Sequence, residues 1–266
     1  MKICIATPTS GELSTEYFFG ALSCMRFPQE DAHFDFFIRE GSSLLSKCRD
    51  EMVAEFLFND KFKDHTHMVF IDSDQSFTAL DVYRLASHGV DFVAAPVPYK
   101  QMDREQIFVW SNIAATGDEM PDYEAMLSAT SRYNYHEILG PAHHKDLLKV
   151  DMVGTGMMCM SREALLLLTD AAIGSGICGS YEYKVPGKGT REAPALFQCM
   201  LEYGKYLGED FSFCRRVKLC GMDMTIDPHI NVTHVGKMPF EGNLTKKMEF
   251  LTTIDEYTKK DGIRYN

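Results

Sequence analysis

Two carboxylates separated by a single residue follow an apolar run in the first third of the chain. The run covers residues 67–71 (His-Met-Val-Phe-Ile), and the acids are Asp72 and Asp74. Such a run predicts a buried strand, and acids at its end lie at the carboxyl edge of a sheet, where open α/β proteins bind ligands. Carboxylate oxygens suit Mg²⁺ or Mn²⁺, often together with substrate phosphates. The pattern indicates a metal–diphosphate site, although a helix N-cap or a solvated turn also explains it.

Polar or glycine-rich segments also occur at the ends of four other predicted elements. Residues 7–9 (Thr-Pro-Thr) follow the first predicted strand, and residues 154–156 (Gly-Thr-Gly) separate two later ones. A backbone without β-carbons can approach a ligand closely, but a hairpin or a bulge uses the same glycines. Residues 208–210 (Gly-Glu-Asp) precede a helix, where the helix dipole also favours acids. A strand-like run in the last quarter ends at His234, which is either a ligand or a structural histidine.

The order of the predicted elements brings residues 7–9 and the acidic pair to the same edge of a sheet. Strands and helices alternate four times in the first 95 residues, which favours a largely parallel sheet with helices on both faces. Ligands then bind at the carboxyl ends of the first, third and fourth strands. The predicted strands cover residues 2–6, 32–38, 66–71 and 91–95, and the helices between them cover residues 14–25, 42–58 and 78–88.

The second half of the chain is predicted to be less regular. Residues 96–150 and 174–206 are expected to form long loops over the carboxyl edge, and long loops in compact domains tend to bind substrates. We find neither an internal repeat nor a linker, so we expect one domain over residues 1–266. The remaining predicted elements are strands 150–153 and 157–160, a helix capped by Ser161, a helix at 209–219, strands 222–226 and 230–235, and a helix at 244–258.

Composition limits the class of protein. Of the 266 residues, 45% are apolar and 24% are charged, which is typical of a globular protein with a sizeable core. The net charge of −11 argues against a protein that coats nucleic acid, because phosphate binding relies on lysine and arginine. We find no run near the roughly 18 apolar residues of a membrane span and no signal-peptide pattern, so we expect a cytoplasmic protein. The eight cysteines include no C-x-x-C pair and are predicted to be reduced, mostly buried thiols.

The order of these motifs resembles that of the nucleotide-sugar glycosyltransferases of the GT-A fold, particularly the family 2-like group. The resemblance covers residues 1–236 and implies one α/β GT-A-like (Rossmann-like) domain with a mostly parallel sheet. The implied domain divides into a nucleotide-binding half (1–100), an acceptor-binding half (101–240) and a C-terminal helix (241–266). The implied reaction moves a sugar, with inversion, from a nucleotide-diphosphate donor, by default a UDP-sugar, to an acceptor hydroxyl. That acceptor is a saccharide, a lipid-linked or protein hydroxyl, or a modified DNA base, which the acidity disfavours.

The resemblance also implies roles for the matching residues. Asp74 and His234 would bind the divalent cation, Mn²⁺ or Mg²⁺, and Asp72 would contact the ribose or the metal shell. Asp210, next to Glu209, would be the general base that accepts the proton of the acceptor hydroxyl. Lys100, beyond the fourth strand, either pairs with phosphate or is solvated. The expected donor-binding residues are Thr7, Pro8, Thr9, Arg49, Asp72, Ser73, Lys100, Gly154, Thr155 and Gly156.

One position departs from the family's pattern, and two other classes of protein fit part of the sequence. Asp50 follows Arg49 where such enzymes have asparagine. A motif of residues 72–76 (Asp-x-Asp-x-Ser) also resembles the haloacid dehalogenase-like phosphatases, in which Asp72 would be the nucleophile, although that family places the motif after its first strand. A non-catalytic nucleotide-sugar-binding module is the third class. Four aromatic residues lie in the predicted loops and either stack on an acceptor or pack within the loops. They are Tyr99, Trp110, Tyr181 and Tyr183.

Overall fold

One large sheet forms the centre of the computed structural model, which describes residues 1–28, 30–41, 43–103, 107, 130–142, 146–236, 239–249 and 252. The helices are α1 (Thr15–Arg26), α2 (Leu45–Phe58), α3 (Ala79–Ser87), α4 (Arg162–Ser175) and α5 (Glu209–Leu219). The strands are β1 (Lys2–Thr9), β2 (His33–Glu40), β3 (His67–Ile71), β4 (Phe92–Ala94), β5 (Pro98–Met102), β6 (Ser131–Tyr133), β7 (Tyr135–Pro141), β8 (Leu148–Val153), β9 (Met157–Ser161), β10 (Ser180–Val185), β11 (Gly189–Pro194), β12 (Met200–Glu202), β13 (Lys205–Leu207), β14 (Met224–Ile226), β15 (Thr233–Val235) and β16 (Pro239–Glu241).

The central sheet is mixed, so the prediction of a mostly parallel sheet is wrong. Its strand order is β2-β1-β3-β9-β4-β14-β8-β7. β1 is parallel to β2 and β3, and β4 is parallel to β14, whereas β9 is antiparallel to β3 and β4, and β8 is antiparallel to β14 and β7. Parallel neighbours need a crossover of a dozen or more residues. The alternation of strands and helices ends at β4, and the segments that join β7, β8 and β9 are too short for such crossovers.

Helices cover both faces of the sheet, as the alternation predicts. Successive residues of a strand point to opposite faces. On β3, Val69 and Ile71 join the apolar cluster that includes α1 and α3, and Met68 and Phe70 join the cluster that includes α2, α4 and α5. All four side chains are fully buried, and burying each large apolar side chain contributes about 1.5–3 kcal/mol. The two clusters clamp the strand that ends at the acidic pair.

Capping side chains fix where two of the helices begin. The Ser161 hydroxyl accepts the Ala164 N–H (3.0 Å) at the start of α4, as its sequence position predicts. Thr78 and Asp81 form a reciprocal capping box at the start of α3, in which each side chain accepts the backbone N–H of the other. Such caps satisfy N–H groups that have no partner inside the helix.

Residues 174–206 are not a long irregular loop, because they contain two antiparallel hairpins. β10 pairs with β11, and β12 pairs with β13 through a two-residue turn at Tyr203 and Gly204. Both turn residues have positive φ (+48° and +77°), which matches the twist of paired strands. Residues 244–249 are helical, and most of the predicted continuation to residue 258 lies outside the described residues.

The described part of the chain has no helix that is long and apolar enough to cross a membrane. All eight cysteines are free thiols, and five of them are buried.

Candidate functional site

A cleft of about 270 Å³ opens beside the carboxyl ends of β1 and β3. The first turns of α2 form one wall, and β15 forms another. It brings together six residues that the sequence predicts for the site, and it adds Ser10, Leu45 and Cys48. The lining residues are Pro8, Thr9, Ser10, Leu45, Cys48, Asp72, Ser73, Asp74 and His234.

Asp74 and His234, although 160 positions apart in the sequence, meet in this cleft. The Val235 N–H donates to the Asp74 carbonyl (2.7 Å), and the Ser76 N–H donates to the Thr233 carbonyl (2.9 Å). These backbone bonds hold β15 against the segment that follows β3. The His234 Nε2 consequently lies 3.3 Å from the Asp74 Oδ1.

The hydrogen bond at the other ring nitrogen of His234 determines which nitrogen carries the proton in the neutral imidazole. Its Nδ1 lies 2.8 Å from the Pro98 carbonyl oxygen, and since a carbonyl only accepts, Nδ1 is the donor. In the neutral ring Nε2 is then an acceptor that faces an Asp74 oxygen, and two acceptors at this distance need a proton or a cation between them. Backbone carbonyls orient metal-binding histidines in the same way. Asp74 and His234 are therefore two donors that could share a cation.

Asp74 is already paired with a second cationic group. The Lys100 ammonium on β5 donates to the Asp74 Oδ2, the oxygen that does not face His234. Burial alone would raise the pKa of Asp74, but the contacts with His234 and Lys100 outweigh burial and hold the pKa below its ordinary value. Asp74 is therefore an ionised carboxylate at neutral pH.

Asp72 is held by an arginine from α2. The Arg49 side chain is almost fully buried, its Nη2 donates to the Asp72 Oδ1 (2.7 Å), and its guanidinium carbon lies 4.9 Å from the centre of the Phe70 ring. The Asp72 N–H donates to the Gly156 carbonyl (2.8 Å). Burial raises the pKa of Asp72, and the charge of Arg49 opposes that rise. One oxygen of Asp72 is thus taken by Arg49.

The donor set fits a divalent cation that shares its shell with a ligand. Among the described residues, no three His, Cys, Asp or Glu side chains are arranged as a complete metal site. A carboxylate and an imidazole are available at Asp74 and His234, and the second oxygen of Asp72 lies on the same edge. Mg²⁺ is usually held by one or two carboxylates plus water and substrate phosphates, and the same donor set suits Mn²⁺. A diphosphate would complete such a site.

Asp210 lies at the start of α5 and is fixed by hydrogen bonds. Its Oδ1 accepts the Phe211 N–H (2.8 Å), and its Oδ2 accepts the Asn134 Nδ2–H (3.0 Å). The Asn134 Oδ1 in turn accepts the Tyr99 hydroxyl (2.8 Å). This chain of three side chains holds one orientation of the Asp210 carboxylate, and it places Tyr99, an expected acceptor residue, next to the expected base.

The two glycines between β8 and β9 make room for protein side chains. A β-carbon on Gly154 would lie 2.2 Å from the Asn134 Nδ2, and one on Gly156 would lie 2.2 Å from the Gln75 Nε2 and 3.2 Å from the Asp72 Oδ2. No β-carbon tolerates contacts of 2.2 Å. The glycines thus let Asn134 and Gln75 pack closely behind Asp210 and Asp72.

Glu209 connects the start of α5 with the cleft electrostatically. Burial is the main cause that raises the pKa of Glu209, and the neighbouring Asp210 charge adds to it. Arg49 and Asp72 also act on this carboxyl, with opposite signs. The expected base and the Arg49–Asp72 pair therefore belong to one electrostatic neighbourhood.

Several expected site residues lie outside the cleft. The Thr7 hydroxyl is fully buried and hydrogen-bonds to the Tyr17 hydroxyl (2.6 Å) on the face of α1. Tyr183 donates to Glu55 of α2, and burial, followed by the charges of Asp50 and Glu51, raises the pKa of Tyr181. Both tyrosines belong to β10, which packs on α2. Both tyrosines therefore pack on α2, outside the cleft.

Thr155 is buried, and its carbonyl oxygen lies 3.5 Å from the Arg49 Nη1, so it contacts the site through its backbone. Trp110 lies outside the described residues.

Sequence reasoning missed the residues that support the acids. Asn134 lies between two short strands in a segment expected to be a loop, and no pattern distinguishes it from other polar loop residues. Gln75 directly follows the acidic pair, so its position was a usable signal. Asp50 does not line the cleft, and its Oδ1 accepts the Phe197 N–H (2.7 Å). The departure at Asp50 therefore concerns packing of α2, not the contact between Arg49 and Asp72.

No protein-family model matches this sequence. No curated protein sequence matches it either. Among solved structures, the chain is similar to A197 from STIV, with 13% identity, a TM-score of 0.45, and coverage of 89% of this chain and 86% of that one. It is similar to GalNAc-T7 with UDP, GalNAc and Mn²⁺ at 11% identity and a TM-score of 0.47, with coverage of 88% and 43%. It is also similar to S. aureus TarS 1-349, with 12% identity and a TM-score of 0.39, and the match covers 85% of this chain and 58% of that one.

This chain spans less than two thirds of the GalNAc-T7 and TarS chains. At these identities and TM-scores the similarity concerns the path of the backbone, and the geometry of the cleft has to support any statement about activity.

Proposed function

We propose that this protein transfers a sugar from a nucleoside-diphosphate donor, by default a UDP-sugar, to an acceptor hydroxyl. The observation that supports this proposal best is the approach of the His234 Nε2 to the Asp74 Oδ1 at 3.3 Å, with Nδ1 committed to a backbone carbonyl. These two residues would hold Mn²⁺ or Mg²⁺. The bound cation would supply a Lewis acid that neutralises charge on the departing diphosphate.

The donor would occupy the cleft from its apolar to its charged end. Pro8 and the partly exposed Leu45 offer apolar surface to the nucleobase, and Thr9 and Ser73 offer polar atoms to the ribose. The diphosphate would lie at the acidic end, where Lys100 can balance its charge. Arg49 donates to the Asp72 Oδ1 and orients that carboxyl group there.

Asp210 would act as the general base. Its carboxylate would accept the proton of the acceptor hydroxyl while that oxygen forms a bond to the anomeric carbon and the bond to the diphosphate oxygen breaks. Attack on the face opposite the leaving group gives inversion. Asn134 keeps the carboxylate oriented, and Tyr99, which is 37% exposed and donates to Asn134, would contact the acceptor.

A thermal-shift panel of UDP- and GDP-sugars, with and without Mn²⁺, tests the donor site, because a ligand that binds the native state raises its apparent stability. We expect a Mn²⁺-dependent shift for the wild type and for Asp210→Asn, and its loss in Asp74→Asn. Asp223→Asn is the matched control, since Asp223 forms its ion pair with Lys149 outside the cleft. No shift with any nucleotide, or an unchanged shift in Asp74→Asn, would contradict the proposal.

A further inference from the structure

Lys100 occupies the charge position at Asp74 that the proposed cation needs. Its ammonium pairs with the Asp74 Oδ2, while the Oδ1 faces His234. The Lys100 and Asp74 side chains are 38% and 37% exposed, so water and ions can reach the pair. The protein thus balances the charge of the Asp74 carboxylate with a cation of its own.

The same strand orients both partners of Asp74. Pro98 and Lys100 are two residues apart on β5. The Pro98 carbonyl fixes the His234 ring, and the Lys100 side chain reaches the carboxylate between them. β5 therefore places an exchangeable positive charge beside a rigid imidazole.

We propose that Lys100 competes with the divalent cation for Asp74 and transfers its ion pair to the donor's diphosphate when the cation binds. This inference rests on the proposed function. A cation that enters alone must displace the ammonium, which then loses its partner. A diphosphate that arrives with the cation gives the ammonium a new partner. Cation and nucleotide therefore bind with positive coupling, and Lys100 is the residue that carries the coupling.

Mn²⁺ binding to the full chain, followed by electron paramagnetic resonance of the free ion with and without UDP, tests this inference. Water screens a pair that is more than a third exposed, so removing the competing charge has a modest effect, to which the loss of repulsion toward a divalent ion adds. We expect Lys100→Met to bind Mn²⁺ alone about threefold to tenfold more tightly than the wild type. Added UDP should then strengthen Mn²⁺ binding less in Lys100→Met than in the wild type.

Two further variants isolate the charge of Lys100. Lys100→Arg keeps the charge and should behave like the wild type, which separates the effect of charge from that of side-chain packing. Lys149→Met is the matched control, because Lys149 is 39% exposed and pairs with Asp223 at 2.6 Å outside the cleft. Circular dichroism melting confirms that each variant is folded, and Lys100→Gln replaces Lys100→Met if the latter is not.

The outcomes separate this inference from the proposal on which it rests. If Mn²⁺ binds the wild type in the presence of UDP but Lys100→Met binds it equally or less tightly without UDP, the role of Lys100 is refuted and the site survives. A tighter Mn²⁺ affinity with unchanged coupling to UDP refutes the transfer of the ion pair. If the wild type binds no Mn²⁺ even with UDP, both the proposed function and this inference fail.

Discussion

Asp74 and Asp210, the two carboxylates central to the proposal, are held in different ways. Around Asp74 the contacts are ion pairs with two cationic side chains, whereas around Asp210 they are hydrogen bonds from the neutral Asn134 amide and the Phe211 backbone N–H. We call these surroundings the cation side, which consists of Asp74, His234 and Lys100, and the base side, which consists of Asp210, Asn134 and Tyr99.

The difference between the two sides suits their proposed tasks. Exposed charges exchange partners easily, because water screens each pair and no close packing has to be broken. On the base side, a β-carbon at Gly154 would come within 2.2 Å of Asn134, so the amide has little room to move. The cation side can therefore reorganise when a ligand arrives, and the base side keeps a fixed geometry that favours one proton transfer.

Asp210→Asn tests the base side with the largest expected effect. General-base catalysis contributes about 10²–10⁴-fold, so we expect turnover of the donor to fall by that factor. Binding of Mn²⁺ and UDP should stay within about twofold of the wild type, because Asp210 does not contact the cation side. Transfer to a panel of saccharide acceptors, together with donor hydrolysis, measures the loss. An equal loss in donor affinity would show that the two sides do not act separately.

Asn134→Leu tests whether close packing on the base side matters for rate. A hydrogen bond to a charged group contributes about 1.5–3 kcal/mol, so we expect turnover to fall about 10-fold to 100-fold. Gly154→Ala should have a similar effect, because its β-carbon displaces the Asn134 amide. Gly156→Ala is the comparison variant, since it meets Gln75 and Asp72 and should weaken donor binding instead. Equal kinetic effects of both glycine variants would contradict the division.

Asp50 lies next to Arg49 but belongs to neither side, so its substitution should change stability rather than binding. Burial raises the pKa of Asp50 to about 7, above the value of 3.8 for an ordinary aspartate. Between these two pH values the native state binds more protons than the unfolded state. The contribution of Asp50 to the free energy of unfolding is therefore most favourable below about pH 4 and is lost as the pH rises through about 7.

Asp50→Asn keeps an acceptor for the Phe197 N–H and removes the buried charge. We expect it to raise the free energy of unfolding by at least about 1 kcal/mol at pH 8 and to have little effect near pH 4. Urea denaturation followed by circular dichroism at both pH values measures this change. Asp223→Asn, which replaces a 57% exposed carboxylate, is the control. An effect of the same size at both pH values would contradict the assignment.

Tyr181→Phe and Tyr183→Phe should have the smallest effect on activity. Both hydroxyls lie against α2 and outside the cleft, so we expect kcat/KM to stay within about twofold of the wild type. The Tyr183 substitution removes a bond to Glu55 and should cost only stability, about 0.5–1.5 kcal/mol. Steady-state kinetics that show a tenfold loss would return these tyrosines to the acceptor site.

The sequence predicts the positions of the elements better than their directions. The helix predicted at residues 209–219 matches α5, and most of the cleft follows from the rule that strand ends carry ligands. The direction of β9 could not be read in advance, because a fully buried strand has the same apolar pattern in parallel and antiparallel pairings. The mixed sheet follows from pairings between segments far apart in the chain.

Residues in and around the cleft were predictable only where a chemical type coincided with the end of an element. Asp74 and His234 satisfied that condition, and Asn134 did not, because an asparagine between short strands is common in turns. Glycine positions indicated a close approach at residues 154–156 but not which group approaches. Thr7 shows the converse, since its place at a strand end did not reveal that its hydroxyl faces Tyr17.

Anomalous scattering from a crystal grown with Mn²⁺ and UDP tests the central claim most directly. We predict one strong Mn²⁺ peak about 2.1 Å from both an Asp74 oxygen and the His234 Nε2, in contact with the diphosphate, with the Lys100 ammonium moved from Asp74 to a phosphate oxygen. The absence of a Mn²⁺ peak between these two side chains, while UDP occupies the cleft, would contradict the account.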